Sequence, residues 1–176
     1  MAGHSKWAKV KHQKAINDVK KAKIFSKLLR YLATEAKKAK GDRSAPGLRL
    51  AVEKAKKSNV PLDVIERAID KASGDSAVEL ESVMYEAYGP GGVAMLIDTL
   101  TDSRNRTNQE LKHLLSKNGG NAATPGAASW AFIKTEEGYE ATTPVELSDE
   151  DIAKLDALVD ALEDYDDVQN VYTNAS

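Results

Sequence analysis

Residues 83–100 read VMYEAYGPGGVAMLIDTL, and this stretch decides the fold class of the second half of the chain. Val83 to Tyr88 alternates apolar and polar residues with the period of a strand, and Val93–Leu100 is an apolar run of strand length. Between them, Gly89-Pro90-Gly91-Gly92 predicts a tight hairpin turn. A phosphate-binding loop is excluded, because that motif continues with Lys and Ser or Thr and opens a helix. The stretch therefore predicts a pair of strands joined by a short turn.

Strands and helices alternate after this pair. Thr107-Asn108-Gln109-Glu110 matches a capping box that opens a helix ending at Gly119-Gly120, and Ser148 opens a last helix. Further strands are predicted over three ranges: Ala128–Ile133, Val145–Leu147 and Val168–Tyr172. The order matches β-β-α-β-β-α-β minus its first strand, which predicts a ferredoxin-like split β-α-β domain over residues 77–176.

The first half carries three amphipathic helical patterns. Apolar residues recur at helical spacing in three groups: Phe25, Leu28, Leu29, Leu32 and Ala36; Leu48, Ala51, Val52 and Ala55; Leu62, Ile65, Ala68 and Ile69. Gly41-Asp42 and Asn59-Val60-Pro61 separate the groups. A three-helix bundle is predicted over residues 14–76, so the fold class is α+β with an N-terminal helical domain.

Charge divides sharply between the two halves. Residues 1–74 hold 19 of the 25 Lys and Arg residues and only 7 of the 27 Asp and Glu residues. A basic stretch this dense is typical of a surface that binds nucleic acid. The alternative is that the basic and acidic halves attract each other within one molecule.

The composition excludes several classes of protein. The chain has no cysteine, which excludes disulfides, thiolate zinc sites and cysteine nucleophiles. No apolar run is long enough to cross a bilayer, and the N-terminus lacks a signal-peptide core, so a cytoplasmic protein is predicted. Its three histidines, His4, His12 and His113, are too scattered for a metal site. No catalytic triad, nucleotide fingerprint or carboxylate pair is visible, so neither an enzyme nor a cofactor is predicted.

Residues 1–13 form a basic arm without helical periodicity. Its lysines can neutralise phosphates and release counterions. Trp7 lies between Lys6 and Lys9, where its indole can stack on an unpaired base or fold back as an apolar anchor of the bundle. The candidate nucleic-acid-binding residues of the arm and the first helix are Lys6, Trp7, Lys9, Lys11, His12, Lys14, Lys20, Lys21, Lys23, Lys27 and Arg30.

A second candidate site is the loop Thr101–Thr107, which joins a strand to a helix N-terminus. Arg104, Asn105 and Arg106 lie here beside free backbone N–H groups, a combination that suits a phosphate. The alternative is a solvated turn in which Asp102 pairs with one arginine.

The sequence resembles the YebC/PmpR family, which includes mitochondrial translational activators. The matching stretches are Met1–Trp7 with Lys11-His12, Lys23–Leu28, Tyr85–Ala94, Thr101–Thr107, Lys117–Gly120, Asp160–Asp164 and Val168–Tyr172. The resemblance implies an N-terminal helical domain, α/β domains and no catalytic chemistry. It also implies that Lys6, Trp7, Lys9, Lys11 and Lys14, with Arg104 and Arg106, make the contacts. Typical members carry a further α/β domain, which is here reduced to a link over residues 134–143 with a turn at Gly138.

Three functions follow as hypotheses. The first is a translation factor that binds RNA or the ribosome, since family members are described as relieving stalling or activating translation. The second is a transcriptional regulator that binds duplex DNA, although the third helix mixes Asp63, Glu66 and Asp70 with Arg67 and Lys71 and so makes a poor recognition helix. The third is a protein-interaction module whose acidic half docks a basic partner. Neither of the first two needs a membrane or a metal.

Overall fold

The computed structural model describes residues 18–74 and 79–176 of the chain. These residues belong to two compact units, one within Ile16–Glu81 and one within Ser82–Ser176. The predicted arm, residues 1–13, lies outside the described ranges, as do residues 75–78 at the predicted boundary. The domain limits 14–76 and 77–176 therefore stay predictions.

The first unit consists of three helices packed around one core. They are α1 (Asp18–Lys38), α2 (Pro46–Lys57) and α3 (Leu62–Ala72). Leu32, Leu48 and Ile65 come one from each helix and are at most 1% exposed. Because burying each such side chain contributes about 1.5–3 kcal/mol, this shared core is what stabilises short helices that would be marginal alone. The predicted three-helix arrangement is confirmed.

The turns between these helices lie where the sequence breaks its periodicity. After α1, Lys40 and Gly41 adopt φ values of +49° and +80°. Before α3, Asn59 has a φ of +62°, a left-handed conformation that asparagine tolerates better than most residues. Both predicted breaks are therefore present.

The second unit contains six strands and two helices. The strands are β1 (Glu81–Tyr88), β2 (Ala94–Thr101), β3 (Asn121–Ala123), β4 (Phe132–Thr135), β5 (Gly138–Ala141) and β6 (Val168–Thr173); the helices are α4 (Arg104–Lys117) and α5 (Asp149–Asp164). Four strands form one sheet in the order β3-β1-β2-β6, and β4 pairs with β5 in a separate hairpin. β3 runs antiparallel to β1, and β6 antiparallel to β2. The α+β class, with an antiparallel sheet after the helices, is confirmed.

The connection β2–α4–β3 is a split β-α-β unit, since β1 lies between the two strands that α4 joins. The second crossover differs from the prediction. Val145–Leu147 does not form a sheet strand, and only Val145 makes a parallel bridge, with Ala175. The β3 strand was not predicted, because three small or polar residues carry no strand pattern.

The two faces of the sheet have different covers. Met95 and Ile97 on β2 pack against Leu115 of α4 and Leu158 of α5 on one face. On the other face, Ala94 and Leu96 pack against Ala128, Ala131 and Phe132. Alternation along β2 thus sends successive side chains to opposite layers, as a strand requires.

The predicted strand Ala128–Ile133 begins later than expected. Residues Ser129–Ala131 form a 3₁₀ turn, and β4 starts only at Phe132. The reason is that the backbone N–H groups of Ala128 and Ser129 donate to the Glu86 carboxylate, at 2.7 and 2.9 Å. Those donors are unavailable for a strand ladder.

The turn between β1 and β2 is confirmed as a tight one, with a 3₁₀ turn at Pro90–Gly92. Gly91 has a φ of +72°, and a Cβ atom there would overlap the Leu147 side chain. Glycine is therefore required at this position both by conformation and by the close approach of Leu147.

Candidate nucleic-acid interface

The arm residues predicted to bind nucleic acid, Lys6, Trp7, Lys9, Lys11, His12 and Lys14, lie outside the described residues. The side chain of Lys20 lies outside the described part as well. Their role stays a prediction. The candidates that the structure places are on α1 and in the loop before α4.

α1 buries its predicted apolar stripe and carries its cations on the remaining surface. Lys21 is exposed, whereas Lys23, Lys27 and Arg30 are half-buried. Each of these three already takes part in an interaction within the protein. The cationic side of α1 is therefore more engaged than a fully solvated lysine face would be, and of these four candidates only Lys21 is exposed.

α2 adds cations that the sequence analysis did not single out. Arg49, Lys56 and Lys57 are exposed and form no ion pair with any described residue. Lys54 instead lies over the Tyr31 ring, 5.6 Å from its centroid. The sequence could have indicated these residues, because they lie outside the apolar stripe Leu48–Ala55. Residues outside such a stripe are expected to face solvent.

The charges of α3 are largely paired. Arg67 Nη2 lies 2.7 Å from Asp63 Oδ2 on the next turn of the same helix. Arg43, from the loop before α2, pairs with Glu66 and reaches Asp70 at 3.4 Å. Lys71 is the exposed cation of α3 that has no ion pair among the described residues, so this helix offers few free groups to phosphates or base edges in a DNA groove.

The loop before α4 has a different cap from the one predicted. Ser103, not Thr107, caps the helix: its side chain accepts from the Arg106 N–H, 3.5 Å away. Thr107 lies inside the helix and is fully buried. The capping-box prediction at Thr107–Glu110 is therefore wrong, although the loop does lead into a helix N-terminus as expected.

Thr107 is buried because it belongs to a polar network around Asp167. The Thr107 hydroxyl lies 2.7 Å from both Thr101 Oγ1 and Asp167 Oδ2. The same carboxylate oxygen accepts from the Tyr165 hydroxyl at 3.0 Å and from Arg106 Nη2 at 2.9 Å. A carboxylate that is only 4% exposed is thus supplied with donors from three side chains, as burial of a charge requires.

Arg106 is held by two carboxylates. Its Nη2 atom also lies 2.8 Å from Asp102 Oδ1. The bond to Asp167, followed by those to Tyr165 and Asp102, holds the pKa of Arg106 above its usual value. The structure therefore agrees with the alternative prediction, in which Asp102 pairs with one arginine of this loop. That arginine is Arg106. Its guanidinium fixes the loop and is not aimed at an outside phosphate.

Arg104 and Asn105 are exposed at the first turn of α4. The Arg104 carbonyl accepts from the Tyr85 hydroxyl at 3.2 Å, which anchors the backbone of that turn on β1. No acidic residue occupies the first turn of the helix. Arg104 also takes part in an interaction within the protein, so the role of this loop in binding phosphate stays a prediction.

Another feature missed in the sequence is the rigid presentation of Trp130. Its side chain is 57% exposed. The indole Nε1 donates to the Ala127 carbonyl at 2.9 Å and to the Tyr88 hydroxyl at 3.2 Å. Glu86 fixes the preceding loop: burial alone would raise its pKa, but N–H donors from Gly126, Ala128 and Ser129 lower it overall. Nothing local in the sequence indicates that Glu86 would hold a loop about forty residues away.

Two classes of site are not seen in residues 18–74 and 79–176. No group of three or more His, Asp or Glu side chains within these ranges is placed to hold a metal ion. No helix within them is long and apolar enough to span a membrane.

Two family descriptions match the chain almost from end to end. The TACO1/YebC protein N-terminal domain matches residues 5–75. The TACO1/YebC second and third domain matches residues 80–137 and 133–175. The chain belongs to the TACO1/YebC family. The resemblance identified from the sequence is thereby confirmed.

Curated TACO1/YebC relatives match over the whole chain. A probable transcriptional regulatory protein of Francisella tularensis subsp. tularensis is 38% identical over 238 residues, which cover 100% of this chain and 96% of the relative. One from Halothermothrix orenii is 44% identical over 181 residues, covering 100% of this chain and 71% of the relative. These names describe the relatives.

A solved structure has the same fold. The crystal structure of a conserved hypothetical protein from Aquifex aeolicus matches with a TM-score of 0.79 and 28% identity, over 94% of this chain and 96% of that one.

This chain is a shortened member of the TACO1/YebC family. The match to the second and third domain falls into two segments that meet at residues 133–137, in the hairpin of β4 and β5. The alignment with the Francisella relative extends over 238 positions, whereas this chain has 176 residues.

Proposed function

We propose that this chain is a non-enzymatic cytoplasmic regulator of gene expression that binds RNA, with ribosomal RNA as its first candidate target. The observation that carries the proposal is the unpaired positive charge of the helical unit. Lys21, Lys40, Arg49, Lys56 and Lys57 form no ion pair with any described residue. Phosphate backbones supply the counter-charge that such a surface lacks.

RNA is favoured over duplex DNA because the charges of α3, the third helix of the unit, are largely paired. The Arg67 side chain on α3 is held by Asp63, and Arg43 beside it is held by Glu66. Duplex readers place a helix with free side chains in the major groove. A Lys-rich arm with one aromatic residue instead suits irregular RNA with unpaired bases.

Co-sedimentation with ribosomes tests this proposal. The purified chain is centrifuged with ribosomes at low and near-physiological salt, with and without excess duplex DNA. Retention on ribosomes despite the DNA is expected. Release by the duplex would contradict an RNA target.

Substitution of the arm tests which residues make the contact. Changing Lys6, Lys9 and Lys11 together to Ala is expected to weaken RNA binding and to lower the slope of log affinity against log salt by about 0.7 per lost contact on a single strand. The thermal unfolding of the helical unit should not change. Unaltered binding would exclude the arm as the contact.

A DNA-binding transcriptional regulator is the second candidate, favoured by the names of the curated relatives, which are probable transcriptional regulatory proteins. Under this alternative, duplex DNA competes fully with the ribosome, and one operator sequence binds far more tightly than its scrambled version. The protein-interaction module is a third candidate, since residues 75–176 hold 20 of the 27 Asp and Glu residues. That candidate requires nucleic-acid affinity to be weak and nearly independent of salt.

A further inference from the structure

A groove of about 230 Å³ opens between α2 and α3 on the helical unit. Its floor is apolar: Leu48 and Ile69 are 1% and 3% exposed, and Val52 is half-buried beside them. The rim is charged and is formed by Arg43, Arg49, Glu53, Lys56 and Glu66. An apolar floor within a polar rim is the usual construction of a site for a small flat ligand.

The rim charges are not equivalent. Arg43 and Glu66 satisfy each other in an ion pair, so they close one end of the groove. Arg49 and Lys56 have no ion-pair partner among the described residues and lie on the same side, two turns apart on α2. Glu53 lies between them in sequence and offers an acceptor. The open side of the groove therefore presents two free cations and one carboxylate above an apolar surface.

We propose that this groove between α2 and α3 binds one unpaired nucleotide of a single-stranded nucleic acid. The base lies on Leu48, Val52 and Ile69, and its phosphate lies between Arg49 and Lys56. Glu53 accepts from an amino group at the base edge, as carboxylates do with cytosine. This inference rests on the proposed function, because it names the form of nucleic acid that the helical unit takes.

The size and the access of the groove both favour a nucleotide. A volume of 230 Å³ is below the roughly 300–1,000 Å³ of drug-sized sites and suits a single ring system with its substituents. Bases within a duplex are stacked and cannot reach an apolar floor, whereas unpaired bases are free to leave the stack. The groove thus distinguishes single strands from duplexes.

The test compares a fluorescein-labelled single-stranded 12-mer of cytidine with a labelled 12-base-pair duplex, at equal ionic strength. Val52→Phe fills the groove without changing charge. It is expected to lower affinity for the single strand by about tenfold and affinity for the duplex by less than about twofold, a change in preference that net charge cannot produce. Thermal unfolding reports whether the variant is folded.

Lys56→Gln and Lys57→Gln form a matched pair of variants. Unlike Val52→Phe, neither requires the fold to accommodate a larger side chain. Both remove one exposed charge from the end of α2, but only Lys56 lines the groove. Lys56→Gln is expected to lower the ratio of single-strand to duplex affinity, whereas Lys57→Gln should lower both affinities alike. If Val52→Phe folds and the ratio is unchanged in all three variants, the groove proposal is overturned and nucleic-acid binding stands. If the unmodified chain binds neither probe, the proposed function fails with it.

Discussion

The Arg106 guanidinium donates to the buried carboxylate of Asp167 across 2.9 Å, and 61 positions of sequence separate the two residues. Asp167 also holds the Thr107 hydroxyl, so one carboxylate fixes the first turn of α4 to the start of β6. The loop at Thr101–Thr107 is consequently part of the packed interior at Thr101 and Thr107 and exposed at Asp102 and over Arg104–Arg106. Its geometry depends on these distant contacts as well as on the local Ser103 cap and the Asp102–Arg106 pair.

Replacing Asp167 tests the weight of this network. Asp167→Asn removes the charge that Arg106, Thr107 and Tyr165 are arranged around, so we expect a loss of about 1–3 kcal/mol in the free energy of unfolding. Urea denaturation measures it. The control is Glu110→Gln, an exposed residue of α4 whose change should stay within about 0.5 kcal/mol. Equal effects of the two substitutions would show that the network contributes nothing specific.

Substitutions of Arg104 and Arg106 should have different effects on stability and on RNA affinity. Arg106→Gln is expected to lower stability only modestly, because the side chain is 48% exposed and surface pairs are screened. Arg104→Gln should lower RNA affinity at low salt, whereas Arg106→Gln should leave that affinity unchanged. Fluorescence anisotropy and urea denaturation on both variants check this division. Reversed effects would restore Arg106 as a phosphate contact.

Glycines at the turn after β1 offer a test of steric fit. Gly91→Ala meets both the left-handed backbone and the Leu147 side chain, whereas Gly92→Ala has a similar φ of +76° with no atom within 4 Å of the added Cβ. Gly92→Ala should cost about 1–2 kcal/mol from conformation alone. Gly91→Ala should cost more, since Leu147 must move. Identical losses in thermal denaturation would mean that Leu147 yields freely.

The pH dependence of stability should show the contribution of Glu86. Its pKa is lowered in the folded chain, so its carboxylate stabilises the fold above the unfolded value of about 4.3. That contribution is lost as the pH falls through the lowered pKa. The difference in unfolding free energy between the unmodified chain and Glu86→Gln should therefore be constant from pH 6 to 7 and shrink below about pH 4. A difference that persists undiminished at pH 2 would contradict this assignment.

The helices of the first unit were predictable because the spacing of their apolar residues is visible within a short stretch of sequence. Leu32, Leu48 and Ile65 sit in stripes of 3.6-residue spacing, and all three are buried as expected. The helix cap, by contrast, could not be assigned from local sequence, as Ser103 and Thr107 show. Both are hydroxyl residues suited to a cap, and the choice between them depends on Asp167, which lies 60 residues after Thr107. No window of sequence around the loop contains that information.

The candidate site was predictable in kind and not in detail. The sequence showed that the first half is basic, but Lys23, Lys27 and Arg30 of the predicted set are engaged within the protein, and the exposed cations Arg49, Lys56 and Lys57 were not singled out. The sequence could not show that Arg106 is occupied by Asp102 and Asp167, or that Arg49 and Lys56 border one groove. Each of those facts depends on how separate elements pack.

The hairpin of β4 and β5 also has a geometry that suits the insertion of a folded domain. Thr135 and Gly138 are cross-strand partners, so the chain leaves and re-enters the host unit at two neighbouring points. A folded module spliced between them would start and finish a few ångströms apart, as domain insertion requires. Inserting or removing such a module would not change the register of the main sheet. This hairpin is therefore a natural place to graft a foreign domain onto the second unit.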